Sequence, residues 1–227
     1  MEVYTTGEDG GRWTQLGQTI CGISADGTSV AIGAPFNSEF GDNSGYVRVY
    51  RIDSGGSTWE KLGQTISSNK AQDTFGFSLD ISSDGKVLVV GTYGGEYVRI
   101  YTLKSSEEPG SSWKQLGQNI TGEKYGDWFG ESVSISMDGK MIAVGGTGND
   151  GKNGVNSGHV RVYRFNDTAS IWMKLGEDID GEAEADWAGS SVSLSSDGKT
   201  VVIGSPAGYG ESGDGAWPGH VRVFIME

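Results

Sequence analysis

Trp113-Lys114-Gln115-Leu116-Gly117-Gln118-Asn119-Ile120 decides how the chain is read, because its pattern occurs three more times. The same W-x-x-L-G-x-x-I form starts at Trp13, Trp59 and Trp172, at spacings of 46, 54 and 59 residues. A period of this length is the mark of a repeat architecture, in which one supersecondary unit is copied and stacked. Downstream lies an Asp followed by Gly-x-Ser: Asp73 with Gly76 and Ser78, Asp127 with Gly130 and Ser132, Asp186 with Gly189 and Ser191. Then comes S-x-D-G, at Asp26-Gly27, Asp84-Gly85, Asp138-Gly139 and Asp197-Gly198. An apolar run to Gly33, Gly91, Gly145 and Gly204 follows, and a [YH]-V-R-[VI]-[YF] element closes each copy, ending at Tyr50, Tyr101, Tyr163 and Phe224.

Each element is short, rich in β-branched and aromatic residues, and bounded by Gly, Asp or Ser, which reads as a strand. Four such strands per repeat predict an all-β chain, a β-propeller of four-stranded antiparallel blades with about four repeats. One domain spans 1–227, with repeats at about 1–58 (shortened), 59–112, 113–171 and 172–227. Strands A to D run from the axis outward. In the third repeat, A is Phe129 to Ser136, B Met141 to Gly145, C His159 to Phe165 and D Trp172 to Ile179. The Asp-Gly pairs predict two-residue type I′ hairpins, with positive φ at both central residues.

The F-G-x-S of strand A and Gly33-Ala34-Pro35 at the end of one strand B resemble FG-GAP repeats, the units of the integrin α β-propeller. The similarity is greater to a short microbial variant with W-x-x-L-G, S-x-D-G and G-x-V-R-V-Y in each copy. The resemblance covers nearly the whole chain. It implies an extracellular or cell-surface interaction module. Integrin repeats that bind calcium carry a longer acidic A–B loop. Here that link is S-x-D-G, with one carboxylate, so no metal site is carried over, and no cofactor is expected. Integrin propellers have seven blades, whereas this chain has four C and four D strands. The N-terminal D strand could complete the last blade. However, Ile20 to Ile23 lacks the twelve residues that elsewhere cross to the next blade, and Val3-Tyr4 has the look of an earlier C strand. The expectation is a fragment or degenerate copy of a larger propeller, with open blade edges that could self-associate.

Composition narrows the partners. Glycine is 39 of 227 residues, and the seven Trp, nine Tyr and seven Phe argue for an ordered chain. The net charge of −13 works against nucleic acid and anionic membranes. No apolar run suits membrane insertion, and no signal peptide is visible in this sequence. The single cysteine, Cys21, leaves the redox compartment open.

Residues that recur from copy to copy read as structural: Trp13, Trp59, Trp113 and Trp172, then Arg48, Arg99, Arg161 and Arg222, then, in three copies, Asp73, Asp127 and Asp186. The arginines are expected to prop each blade by pairing with the repeat Asp or stacking on the strand-D Trp. His159 and His220 stand where Tyr46 and Tyr97 stand, so they read as a packing position with a polar tip. Residues that are not universal are the candidate site. In a meander, B–C and D–A loops share one face. That face collects Trp128, Trp187, Trp217, Tyr125, Tyr209 and Asp214, aromatics beside carboxylates that could hold a sugar or anchor a protein. No catalytic motif stands out, so the chain is expected not to be an enzyme. The preferred function is an interaction or adhesion module for a protein or glycan partner. The alternatives are a structural segment of a larger surface protein and a carbohydrate-active lyase or hydrolase.

Overall fold

The computed structural model describes residues 2–6, 13–18, 21–104, 110–206 and 219–226, with side chains from residue 22 onward. The described residues form strands and turns. An N-terminal ribbon pairs β1 (Glu2–Thr6) with β2 (Trp13–Gln18). Blade 1 holds β3 (Cys21–Ile23), β4 (Ser29–Ala34), β5 (Tyr46–Ile52), β6 (Trp59–Lys61) and β7 (Ile66–Ser67). Blade 2 holds β8 (Ser78–Ile81), β9 (Val87–Gly91), β10 (Tyr97–Lys104), β11 (Ser112–Gln115) and β12 (Ile120–Thr121). Blade 3 holds β13 (Phe129–Ile135), β14 (Met141–Gly146), β15 (His159–Asn166) and β16 (Ile171–Asp180). Blade 4 holds β17 (Ser191–Leu194), β18 (Thr200–Ser205) and β19 (His220–Ile225). Every blade is an antiparallel meander in chain order. Strand D is split into two short strands in blades 1 and 2 and continuous in blade 3. The N-terminal D strand, β2, pairs with β1 and not with β19. Val3 and Tyr4 are thus part of a C-like strand, and the alternative in which β2 completes the last blade is not what forms.

The S-x-D-G turns differ from the expected type I′ geometry. Only the glycine is left-handed, with φ of +71°, +66°, +71° and +71° at Gly27, Gly85, Gly139 and Gly198. The Asp stays in the ordinary region because its carboxylate closes the turn. Asp138 accepts from the Ser136 hydroxyl at 2.6 Å and the Lys140 amide at 3.0 Å, and Ser136 Oγ accepts from the Met141 amide at 2.9 Å. Asp84 and Asp197 repeat these contacts. The turn is therefore a side-chain-closed loop, which explains a serine two residues before the aspartate.

The F-G-x-S motif makes the joint between blades. Phe75, Phe129 and their counterpart Ala188 are fully buried. The carbonyl of the following glycine lies against strand B of the blade before. A Cβ on Gly33, Gly91 or Gly145 would sit 2.3, 2.1 and 2.1 Å from the carbonyl oxygens of Gly76, Gly130 and Gly189. Only glycine permits that approach. The same glycine carbonyls accept from the previous blade's serine: Ser78 Oγ donates to Gly130 O at 2.7 Å and Ser132 Oγ to Gly189 O at 2.6 Å. Around each joint a sheet-on-sheet core forms. Ala31, Val47 and Val49 meet Leu79, Ile81, Leu88 and Val90. Val89, Val98 and Ile100 meet Val133, Ile135, Ile142 and Val144. Ala143 and Val160 meet Val201 and Ile203. Nearer the axis, the Asp80 carboxylate accepts the Ile135 amide at 2.9 Å, and burial pushes its pKa up.

Candidate functional site

B–C and D–A loops do share one face, and backbone contacts tie them together. Gly45 bridges to Phe75 and Gly158 to Ala188, in parallel pairs. Beside them Thr74 N donates to Asn43 O at 3.0 Å, and Trp187 N to Asn156 O at 3.1 Å. Each D–A loop is thereby pinned to the B–C loop of the blade before it. This forces the residue before F-G or A-G into the left-handed region: Thr74, Trp128 and Trp187 have φ of 51°, 52° and 51°. A bulky non-glycine residue there is strained. Two of the three positions carry the tryptophans singled out from the sequence.

Trp128 closes a row of stacked rings. Its ring lies 5.7 Å from that of Tyr93, and Tyr93 lies 5.0 Å from Phe77, both at 30°. The row runs from blade 2 to blade 3. Tyr125 stands beside it, 88% exposed, and Trp187 is 37% exposed on the next D–A loop. Burial pushes the Tyr93 hydroxyl up, with Glu131, Glu96 and Tyr125 adding to the effect. Trp128 is thus shared between blade packing and the surface, whereas Tyr125 and Trp187 face solvent. Trp217, Tyr209 and Asp214 lie outside the described residues. Phe77 and Tyr93 escaped the sequence reading because neither occupies a shared repeat position.

The repeat Asp has a different partner from the one expected. Asp73, Asp127 and Asp186 are all buried. Asp73 accepts from the Tyr97 hydroxyl at 2.7 Å, and Asp127 accepts the amides of Glu123 and Lys124 at 3.1 and 3.0 Å. Asp186 accepts the Glu182 amide at 2.8 Å and lies 3.6 Å from His220 Nε2. The Asp therefore organises the D–A loop and meets the Tyr/His position. The arginines instead reach the sixth residue after the strand-D Trp. Arg48 Nε donates to Thr65 at 3.2 Å, Arg99 Nε to Asn119 at 3.1 Å and Arg161 Nε to Asp178 at 3.0 Å. The pairing of Arg with the repeat Asp or the Trp is corrected accordingly. Their guanidinium groups lie over Tyr46, Tyr97, Phe129 and Phe224 rings at 4.3 to 5.9 Å.

Blade 3 carries a cluster of ion pairs. Arg161 bridges Asp178 and Glu123, and Lys174 also pairs with Asp178. Lys124 pairs with Asp150 at 2.7 Å. Burial opposes ionisation of Asp178, but hydrogen bonds from Arg161 and Lys174 bring it down to about 2. His159 sits inside this cluster, 1% exposed, and neither ring nitrogen has a hydrogen-bond partner. Asp127 Oδ1 is likewise unpaired. Burial, then the Arg161 charge, lowers the His159 pKa. The unfolded chain takes up that proton more readily, so this contribution is full above about pH 6.5 and falls away as the pH drops below it. We expect His159→Tyr to add about 1 kcal/mol at pH 7, since a tyrosine hydroxyl would meet Asp127 as Tyr97 meets Asp73. It should also flatten the acid-side decline. Urea denaturation at pH 7 and pH 5 checks both effects, and a variant weaker than the parent at pH 7 would refute the assignment.

Among the described residues no group of three or more His, Cys, Asp or Glu is placed to hold a metal ion. Among them no helix is long and apolar enough to cross a membrane.

Blades of this kind, stacked in series with their loops on one face, define a β-propeller architecture. Residues 123–163 match the family model of the FG-GAP repeat, so the chain carries an FG-GAP repeat in its third blade. No curated protein matches the sequence. Among solved structures, the periplasmic gluconolactonase PpgL of Pseudomonas aeruginosa is similar at 15% identity and a TM-score of 0.59, over 100% of this chain and 64% of that one. A protein of Bacteroides uniformis described as a candidate 6-phosphogluconolactonase is similar at 14% identity and a TM-score of 0.57, over 96% and 62%. The β-propeller domain of Cps50 (Swd1) from Myceliophteria thermophila is similar at 12% identity and a TM-score of 0.50, over 92% and 53%. This chain therefore spans less than two thirds of each of these chains. The comparison also corrects the expectation that the chain is not an enzyme: its scaffold is one that proteins described as lactonases share, so the fold does not set it apart from enzymes.

Proposed function

We propose that the chain is an extracellular interaction module of the adhesion type, whose B–C/D–A face binds a protein or glycan partner. The observation that carries this reading is the aromatic row Phe77–Tyr93–Trp128, continued by exposed Tyr125 and Trp187 and held partly by strained backbone. Rigid aromatic faces supply contact area at little entropic cost, and stacked rings suit the flat apolar faces of sugars. Glu131 beside Tyr93, and Asp150 on the next B–C loop, offer hydrogen-bond acceptors for hydroxyl or amide groups. The FG-GAP match agrees with a surface role, since the resemblance to integrin propellers implies partner binding on the corresponding face.

The test is a binding screen of the purified chain against immobilised oligosaccharides and extracellular-matrix polypeptides. Any ligand found should lose about tenfold or more in affinity on Trp187→Ala, the range of a truncated aromatic anchor. Unchanged affinity in that variant and in Tyr125→Ala would remove the face from the account.

A further inference from the structure

The chain has two histidines, and both belong to blades whose entering D–A loop carries a tryptophan. In blade 2 the Tyr/His position is Tyr97, the repeat Asp is Asp73, the residue after it is Thr74 and the residue four before it is Asn69. In blade 3 these four are His159, Asp127, Trp128 and Glu123, and in blade 4 they are His220, Asp186, Trp187 and Glu182. Histidine and glutamate therefore enter together where a tryptophan follows the Asp. In blade 2 the Tyr97 hydroxyl closes the set on Asp73 at 2.7 Å, and tyrosine does not change charge near neutral pH. Histidine does.

Blade 3 shows what this exchange builds. His159 is buried, and neither ring nitrogen has a hydrogen-bond partner among the described residues. Its ring meets Phe129 of β13 edge-on, with centroids 6.1 Å apart. Against β14 it crowds Gly146, where an added Cβ would lie 3.0 Å from His159 Nε2 and 3.3 Å from the Asp127 carbonyl oxygen. Phe129 and Gly146 bring no charge. The charged groups that face the ring are Arg161 on its own strand, Asp178 on β16 at 3.7 Å from Nδ1, and Glu123 and Asp127 on the D–A loop. Asp180, opposite His159 in the ladder, is turned to Lys152 at 3.4 Å. Asp178 and Glu123 are engaged by Arg161, and Asp127 Oδ1 makes no hydrogen bond to the ring.

A proton added to this ring would be a buried charge beside the Arg161 guanidinium with its N–H groups unpaired, which is costly in place. The same proton is taken up readily once the ring meets water. The D–A loop is the cover that can move. It is a surface loop with Tyr125 exposed, held by few bonds: the Glu123 and Lys124 amides on Asp127, Lys124 on Asp150 at 2.7 Å, the Gly126 amide on Glu96 at 2.8 Å, and Glu123 on Arg161. We propose that His159 makes the Glu123–Trp128 loop a pH-responsive element: neutral His159 keeps the loop closed, and its protonation in mild acid favours an open form in which the ring is solvated and Asp127 releases the loop amides. The sign follows from linkage, because the form that takes up the proton more readily gains population as the pH falls. The movement reaches the aromatic row directly, since Trp128 follows Asp127 and stacks on Tyr93. Weaker capture of a partner below about pH 6 would follow. That consequence rests on the binding role proposed for this face, whereas the loop opening does not.

The test is hydrogen exchange of the full chain, expressed as protection factors at about pH 7.5 and about pH 5.5. The Glu123 and Lys124 amides, which Asp127 holds, should lose about five- to tenfold in protection, the gain of an open form that takes up one proton at an ordinary histidine pKa. The Thr74 amide should not change: it bonds Asn43 O in the matching loop of blade 2, where Tyr97 stands in the histidine's place. Nor should the Val144 amide in the core strand β14. His159→Tyr, the residue type of this position in blades 1 and 2, should abolish the pH response, and so should His159→Phe, which cannot bond Asp127. Either variant that circular dichroism shows to be folded decides the matter. Equal protection at both pH values would overturn the proposal. So would the same loss in a folded variant, or a loss shared by Val144, which reports opening of the whole blade. The readout contains no ligand, so a face that binds nothing would leave this result standing, and a failed result here would leave the binding face to its own test.

Discussion

Gly145→Val is expected to destabilise the chain by about 3 kcal/mol or more, the upper range for overpacking a close contact. The added Cβ would lie 2.1 Å from the Gly189 carbonyl oxygen and 2.5 Å from Ser132 Oγ. The carbonyl belongs to backbone fixed by the Gly158–Ala188 bridge and by Ser132 itself, so it cannot move alone. Opening the joint would also expose Ala143, Val160 and Ile203, which are fully buried between blades 3 and 4. Gly204 occupies the same repeat position in blade 4 and provides the control. Its Cβ would meet only the Ser191 hydroxyl closely, and a hydroxyl can rotate away. Gly204→Val should therefore cost less than about 1 kcal/mol. Urea denaturation of both variants decides the matter. Equal losses would mean that strand-B glycines are needed for the strand and not for the joint.

Trp172→Ala is the second large effect, expected at about 3–5 kcal/mol. The indole is 3% exposed, its ring lies 5.2 Å from that of Phe165, and its N–H donates to Leu116 O. Truncation leaves a cavity between the D strands of blades 2 and 3 and an unpaired carbonyl. Trp172→Phe keeps most of the buried area and loses the hydrogen bond, so about 1–2 kcal/mol is expected. Chemical denaturation again reads both. A phenylalanine variant as damaged as the alanine variant would show that the hydrogen bond, not the burial, holds the joint.

The sequence made the fold legible because the period was written in it. Four W-x-x-L-G motifs, four S-x-D-G turns and four V-R-[VI]-[YF] strands each recur at a fixed place in a blade. The joints were less legible. Nothing in the letters F-G-x-S says that the glycine carbonyl is received by the strand-B glycine of the blade before. The arginine partners were misread for a related reason. The residue six after the Trp varies as Thr65, Asn119 and Asp178, so a search for shared residues passes over it, while the shared Asp drew attention instead. The turn type was misread because Asp-Gly suits two geometries, and the preceding serine selects the wider one.

Of the candidate site, the sequence picked out Trp128, Trp187 and Tyr125 through their departure from the repeat, and the loop geometry placed them on one face. Phe77 and Tyr93 were hidden because the contact between them crosses from one loop to another and shows no spacing in the chain. The cluster around His159 was hidden too, since its charges come from three separate segments that only the blade brings together.

The claim at the centre of this account is that the B–C/D–A face, and not the opposite face, does the binding. The direct measurement is a calorimetric titration of a ligand from the oligosaccharide and polypeptide screen into three chains: the parent, Trp187→Ala, and Asp167→Ala. Asp167 lies on the C–D turn, where it pairs with Lys140 of the A–B turn on the far side of the blade. The account predicts that Trp187→Ala weakens binding about tenfold or more, while Asp167→Ala leaves it unchanged. Loss of binding in Asp167→Ala with full retention in Trp187→Ala would contradict it.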